Sequence, residues 1–179
     1  MNTLRVVITG GVGAGKTSFV RTISDTEVVD TDKKATDEIV KIKAQTTVAL
    51  DFGYLAIAPS QSLYIYGTPG QPRFDFMWDI LIRRANAYIL LVAAHRPEDF
   101  RYGSQILDFV NQRVQIPMLI GLTHTDCPGA WGMEDIAIAL GMQNSPDRPP
   151  LIVVNTTKKA SVTEAIQALI QEITKTSIL

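Results

Sequence analysis

The sequence predicts an α/β three-layer sandwich: a six-stranded, mostly parallel sheet with one antiparallel strand and helices on both faces. Three observations lead there. Short apolar, β-branched runs alternate with segments of helical period along nearly the whole chain. Two of those runs, Tyr88-Ile89-Leu90-Leu91-Val92 and Pro117-Met118-Leu119-Ile120-Gly121-Leu122, are almost continuously apolar, as strands covered on both faces must be. The alternation fails once, where a short link that turns at Pro59-Ser60-Gln61 joins two strand-like runs. That link is too short for a crossover helix, so the two strands form an antiparallel hairpin.

Leu4 to Thr9 is a β-branched run that ends in glycine and reads as a buried strand. Lys16 to Ile23 follows as a helix, with Phe19, Val20 and Ile23 on one face. Ser24 to Gln45 is polar and lacks a sustained apolar period. It reads as a long loop, with at most a short helical turn near Thr36 to Val40, and a loop of that length in a compact domain is functional or mobile. Thr46 to Ile57 and Leu63 to Tyr66 are the two hairpin strands. Gly67-Thr68-Pro69-Gly70-Gln71-Pro72 is a cluster of breakers that excludes regular structure. Helices are expected from Arg73 to Arg84, Asp99 to Val114, Glu134 to Leu140 and Val162 to Ile173. Leu151-Ile152-Val153-Val154 is the last strand. Met77 and Trp78 are expected to pack the helix that follows the breaker cluster.

The 179 residues suit one domain with a real core. A composition 46% hydrophobic and 20% charged is that of an ordinary globular protein. A net charge of -1 argues against a broad surface for nucleic acid or anionic lipid. Cys127 is the only cysteine, so no intrachain disulfide forms, which suits a reducing cytoplasm. The longest apolar run, Ala85 to Ala94, is interrupted by Asn86 and too short to span a bilayer. The ends carry no signal peptide, myristoylation glycine or prenylation cysteine. Membrane contact is therefore expected only through a partner.

One motif carries explicit chemistry. Gly10-Gly11-Val12-Gly13-Ala14-Gly15-Lys16-Thr17 fits the spacing G-x-x-x-x-G-K-[ST], between a strand and a helix as the motif requires. Glycines let the backbone wrap closely around phosphate with successive N–H groups turned inward. Lys16 can reach the β- and γ-phosphates, and the Thr17 hydroxyl can ligate Mg²⁺. The positive end of the helix points at the same place.

With this loop and the breaker cluster in that order, the chain resembles a Ras-like small GTPase, on a P-loop NTPase sandwich. The segment from Gly67 through Arg73, Met77, Trp78 and Asp79 is similar to that of bacterial Ras-like GTPases of the conservon kind, with bacterial cell-polarity GTPases more distant. The resemblance covers nearly the whole chain and implies a single G domain over residues 1–179. It implies nucleotide contacts from Gly10, Gly11, Val12, Gly13, Ala14, Gly15, Lys16, Thr17 and Ser18. Thr47, or Thr46 if the register slips, matches the first-switch threonine that completes Mg²⁺ coordination beside Thr17. Gly70 matches the glycine that senses the γ-phosphate, and Gln71 the glutamine that orients the attacking water. Lys16 and Gln71 are thus the implied catalytic residues. Thr123-His124-Thr125-Asp126 stands where the family has Asn-Lys-x-Asp, with Asp126 reading guanine and His124 in place of the lysine. Asn155-Thr156-Thr157-Lys158 matches the last base-contact loop to within one residue.

Two further departures stand out. Gly67 replaces the family's metal-side aspartate, and Asp51 is a substitute in the second shell of the metal. Val12 crowds the approach of an arginine finger; Arg73 is a candidate charge in cis, and a solvated residue in the first turn of the helix is the favoured alternative. His95 and Arg96 read as a solvated loop without a role. The implied activity is slow hydrolysis of GTP to GDP in a cytoplasmic bacterial signalling switch. Its implied partners are Roadblock-type regulators and membrane-associated sensor kinases. The alternative is a nucleotide-binding scaffold with little or no hydrolysis. A P-loop ATPase or small-molecule kinase fits less well with Asp126 and the Thr-Pro-Gly-Gln segment.

Overall fold

The computed structural model describes residues 2–25, 50–71, 76–142 and 148–177. Its strands are β1 (Asn2–Gly10), β2 (Asp51–Ala58), β3 (Gln61–Gly67), β4 (Ala87–Ala93), β5 (Met118–Thr123) and β6 (Leu151–Val153). Its helices are α1 (Lys16–Ile23), α2 (Phe76–Ile82), α3 (Phe100–Asn111), α4 (Met133–Ala139) and α5 (Lys159–Ser177). The strands form one six-stranded sheet in the order β2-β3-β1-β4-β5-β6. Every pair is parallel except β2 with β3.

The pleat divides the core into two layers, because successive side chains on a strand point to opposite faces. On one face, Val6 and Ile8 of β1, Leu63 and Ile65 of β3, and Ile89 and Leu91 of β4 pack with Phe19, Val20 and Ile23 of α1 and with Val162, Ile166 and Leu169 of α5. On the other face, Val7, Tyr66, Tyr88, Leu90 and Val92 pack with Trp78, Leu81 and Ile82 of α2, with Ile106, Leu107 and Val110 of α3, and with Ile136 of α4. All seven residues of β4 are buried, as its unbroken apolar run requires. Met77 and Trp78 are core residues, at 0% and 5% exposure.

The expected helices are present with shifted ends. A 3-10 turn over Pro97–Asp99 precedes α3, which stops at Asn111 rather than Val114. The α5 helix runs beyond the expected Val162 to Ile173 at both ends. The expected short helical turn near Thr36, the start of β2 at Thr46 and the residues Pro72 to Asp75 lie outside the described residues. Among the described residues, no helix is long and apolar enough to cross a membrane.

The parallel arrangement places the C-terminal ends of β1, β3, β4, β5 and β6 along one edge of the sheet. β2 runs the other way, so its first residue, Asp51, lies opposite the last residue of β3, Gly67, on that same edge. Ligand sites in such sheets form outside these strand ends.

Phe19 is fully buried at the junction of α1 with the sheet. Truncating it leaves a cavity that a rigid sheet cannot refill. Phe19→Ala is expected to lower unfolding stability by about 3–5 kcal/mol, read from the midpoint of urea denaturation.

Candidate functional site

The Gly10–Thr17 loop leaves the buried centre of the sheet and turns into α1. Gly15, at the helix N-cap, sits in the left-handed region at φ 101°. A Cβ at Gly15 would also lie 2.9 Å from the Thr156 side chain, so glycine is required there on both counts. No side chain caps the helix, which leaves its first amides free to meet an anion.

The outer side of the loop is held by donors from elsewhere in the chain. Arg96 Nη1 donates to the Val12 carbonyl at 2.8 Å. His124 Nε2 lies 3.2 Å from the Gly13 carbonyl oxygen. Thr123 Oγ1 donates to the Ala14 carbonyl at 2.9 Å. Lys16 folds back so that Nζ donates to Gly10 O at 2.8 Å and Gly11 O at 2.6 Å. Lys16 is 7% exposed. Burial lowers its pKa to about 8, against the opposing pull of the Asp51 and Asp99 carboxylates.

The second loop closes from the β3 side. Thr68 N donates to Ile8 O at 2.9 Å, extending the sheet ladder beyond Gly67. Thr68 Oγ1 donates to Thr9 Oγ1 at 3.2 Å. This brings Gly70 onto the phosphate loop: a Cβ there would stand 2.7 Å from Lys16 Nζ and 2.8 Å from Val12 N. Only glycine permits so close an approach. Gln71 is exposed at the rim.

Between the two loops lies a cavity of about 640 Å³. Its wall includes Val12, Gly13, Gly15, Lys16, Thr17 and Ser18, then Asp51, Gly67, Gly70 and Gln71, and on a third side His124, Thr156 and Thr157. The structure thus brings together the phosphate-loop residues, Gly70, Gln71, His124, Thr156 and Thr157. Gly10 and Ala14 are buried in the loop's support. Thr123 is a buried anchor rather than part of the wall. Asp126 is exposed on the loop after β5, outside the cavity wall. The Asn155 side chain is spent locally, accepting from Thr157 N at 3.1 Å and Thr157 Oγ1 at 2.8 Å. Thr47, its neighbour Thr46 and Arg73 lie outside the described residues.

Thr17 Oγ1 donates to Asp51 Oδ2 at 2.5 Å. Asp51 pairs with Gly67 across the hairpin, and a Cβ on Gly67 would lie 3.0 Å from Asp51 Cβ. The Asp51 carboxylate therefore fills the space that a side chain at position 67 would enter. A hydroxyl and a carboxylate are hard oxygen donors, the set that suits Mg²⁺.

Arg96 is the residue that sequence reasoning missed. Far from a solvated loop residue without a role, it braces the phosphate loop and pairs with Asp99 at 3.1 Å. The signal available was its position just past the C-terminal end of β4, where side chains converge on the strand-end cleft. Val12, expected to crowd the approach of an arginine finger, is 52% exposed.

This architecture is that of the small GTPases: a six-stranded P-loop sheet with one antiparallel pair and helices on both faces. A solved structure of Arl6 BBS3, a small GTPase from Trypanosoma brucei with the bound nucleotide analogue GppNp, matches with a TM-score of 0.75. The match covers 97% of this chain and 99% of that one at 16% identity, a level that speaks for the fold. The chain belongs to the family described as conserved hypothetical ATP binding protein, whose model matches residues 22–179, beyond the phosphate loop. An uncharacterized protein of Methanocaldococcus jannaschii is 28% identical over 94 residues, 52% of this chain and 53% of that protein. ADP-ribosylation factor-like protein 8b of Arabidopsis thaliana is 28% identical over 92 residues, 50% of each. The chain thus spans about half the length of these curated relatives.

The buried Lys16 gives the site a pH signature. In the folded chain its pKa is about 8, below its ordinary value of 10.5. Between those values the unfolded chain binds more protons, so unfolding free energy rises with pH. Relative to Lys16→Met, the wild type is expected to gain stability from about pH 8 to about pH 10. Chemical denaturation at several pH values measures the difference, and a falling or flat difference contradicts the assignment.

Proposed function

We propose that this chain is a guanine-nucleotide switch, one G domain over residues 1–179, that binds GTP and hydrolyses it slowly to GDP. The observation that carries the reading is the cavity itself: a phosphate loop on one wall, with Gly70 and Gln71 pressed against it from a different strand end. A γ-phosphate held by the first wall is within reach of the second. That is what couples nucleotide state to loop conformation in a switch. The GppNp bound in the Trypanosoma structure supports guanine as the base.

In this reading the amides of Gly13, Gly15 and Lys16 and the Lys16 ammonium hold the phosphates. Ser18, at the start of α1, lies on the same wall. Thr17 supplies a metal-side hydroxyl, Asp51 a carboxylate beside it, and Thr47 completes the set from the first switch. Mg²⁺, when bound there, neutralises charge on the β- and γ-phosphate oxygens. Gln71 orients a water for in-line attack on the γ-phosphorus, the bond to the bridging oxygen breaks, and GDP leaves with its charge stabilised by Lys16. Asp126 accepts from the two N–H donors of guanine. His124, Thr156 and Thr157 wall the base side, and Asn155 shapes that last loop from within. Arg73 is a charge in cis. The remaining assignments follow the family resemblance: a bacterial, cytoplasmic signalling protein regulated by Roadblock-type partners.

A second reading has a specific observation behind it, since the family description names ATP. Titration with GDP, GTP, ADP and ATP separates the two. Guanine nucleotides are expected to bind at least tenfold more tightly than adenine nucleotides, and Asp126→Ala to remove about 1.5–3 kcal/mol of that preference. Tighter binding of adenine nucleotides would overturn the guanine assignment.

Hydrolysis is tested separately from binding. In single-turnover measurements Gln71→Leu is expected to slow GTP cleavage by at least about tenfold while leaving GTP affinity within a few-fold of wild type. Cleavage by neither protein, with affinity intact, would favour the scaffold.

A further inference from the structure

We propose that His95, His124 and Cys127 form a binding site for a thiophilic divalent transition-metal ion, taken here as Zn²⁺, at the ends of β4 and β5. One ligand atom from each lies within 4.8 Å of the others, and all three residues are half-buried. The site does not rest on nucleotide binding, although His124 also walls the cavity.

Chemistry and geometry agree on the ligand. Two imidazoles and a thiolate are borderline-to-soft donors, which select zinc over magnesium or calcium. Bond lengths of about 2.0–2.1 Å to nitrogen and about 2.3 Å to sulfur put tetrahedral ligand atoms about 3.5 Å apart. From within 4.8 Å of one another, the three atoms need to close by at most about 1.3 Å to reach that spacing. A water completes the tetrahedron, as in three-ligand zinc sites.

The two rings are prepared for this role in different ways. His124 Nε2 faces the Gly13 carbonyl oxygen at 3.2 Å. A carbonyl only accepts, so Nε2 carries the proton and the Nδ1 lone pair of the neutral ring is left open. Metal-binding histidines are held in this way, with the second ring nitrogen donating to a backbone carbonyl. The His124 backbone lies in the left-handed region at φ 55°, an uncommon conformation for a residue with a side chain. His95 Nδ1 is buried without a hydrogen-bond partner among the described residues. Such an atom costs free energy unless something coordinates it. The rings stand 4.8 Å apart, centroid to centroid. Cys127 follows on the turn closed by its own N–H to the His124 carbonyl at 3.1 Å, and its thiol is free. On binding, the thiol loses its proton to solvent and the sulfur bonds the ion as thiolate.

The test titrates Co²⁺, a spectroscopic stand-in for Zn²⁺, into the full chain, reduced, nucleotide-free and without a histidine tag. One equivalent is expected to give a near-ultraviolet thiolate-to-cobalt charge-transfer band and the visible bands of a tetrahedral ion, both removed by Zn²⁺. Cys127→Ser is expected to abolish the charge-transfer band, and His95→Ala to weaken Zn²⁺ binding at least about tenfold. Absence of the band in the wild type, its survival in Cys127→Ser, or unchanged Zn²⁺ affinity in His95→Ala overturns the proposal. If His95→Ala fails to fold, X-ray absorption of the Zn²⁺-loaded wild type decides. One sulfur and two imidazoles support the site, and an all-oxygen shell refutes it.

Discussion

Five consecutive carbonyls, from Gly10 to Ala14, each accept a hydrogen bond from a side chain, and the shape of the cavity follows from that. Lys16 takes the first two, Arg96 the third, His124 the fourth and Thr123 the fifth. In a trans peptide the N–H points opposite to the C=O of the same unit. Fixing the Val12, Gly13 and Ala14 carbonyls toward their partners therefore turns the amides of Gly13, Ala14 and Gly15 away from those partners. Three of the donors come from the ends of β4 and β5. The loop's conformation is thus a property of the sheet's centre as well as of its own glycines.

The second wall depends on the same edge. Thr68 continues the β3 ladder for one more residue, and this places Gly70 against Lys16 and Val12. The antiparallel direction of β2 is what lets Asp51 join a cluster otherwise built from the C-terminal ends of strands. A parallel β2 would have put its first residue at the opposite edge.

The sheet was legible from the sequence because its strands are short, apolar and separated by clear helical periods. The parallel core was readable in Tyr88–Val92, and the antiparallel exception in the brevity of the Pro59–Gln61 link. Helix ends were less legible. Asp99 to Val114 reads as one helical pattern, yet Asp99 closes a 3-10 turn that starts at Pro97 and the α-helix runs only from Phe100 to Asn111, a choice that packing decides and periodicity does not register. The phosphate loop, Gly70 and Gln71 were readable because their spacing is local. Arg96 was not, since an arginine in a polar loop looks the same whether it meets water or the Val12 carbonyl. The contact between Asp51 and Thr17 spans separate elements and depends on hairpin register. The absence of an aspartate at 67 pointed to Asp51 as a substitute near the metal, and only the fold supplied the hydrogen bond.

The tight fit between Asp51 and Gly67 also constrains the paths by which such a sequence can change. A side chain at 67 would press on Asp51 Cβ at 3.0 Å and Oδ2 at 3.3 Å. An aspartate there would add a second negative charge beside the first in the same small space. In this chain Asp51 supplies the carboxylate next to Thr17, and a second one at 67 would have to share its space. Moving the carboxylate from one strand to the other takes two substitutions, and each order of events passes through a crowded, doubly charged form or one with no carboxylate. Descendants of this chain are thereby held to their side of the hairpin, and the pair at 51 and 67 is expected to vary together or not at all.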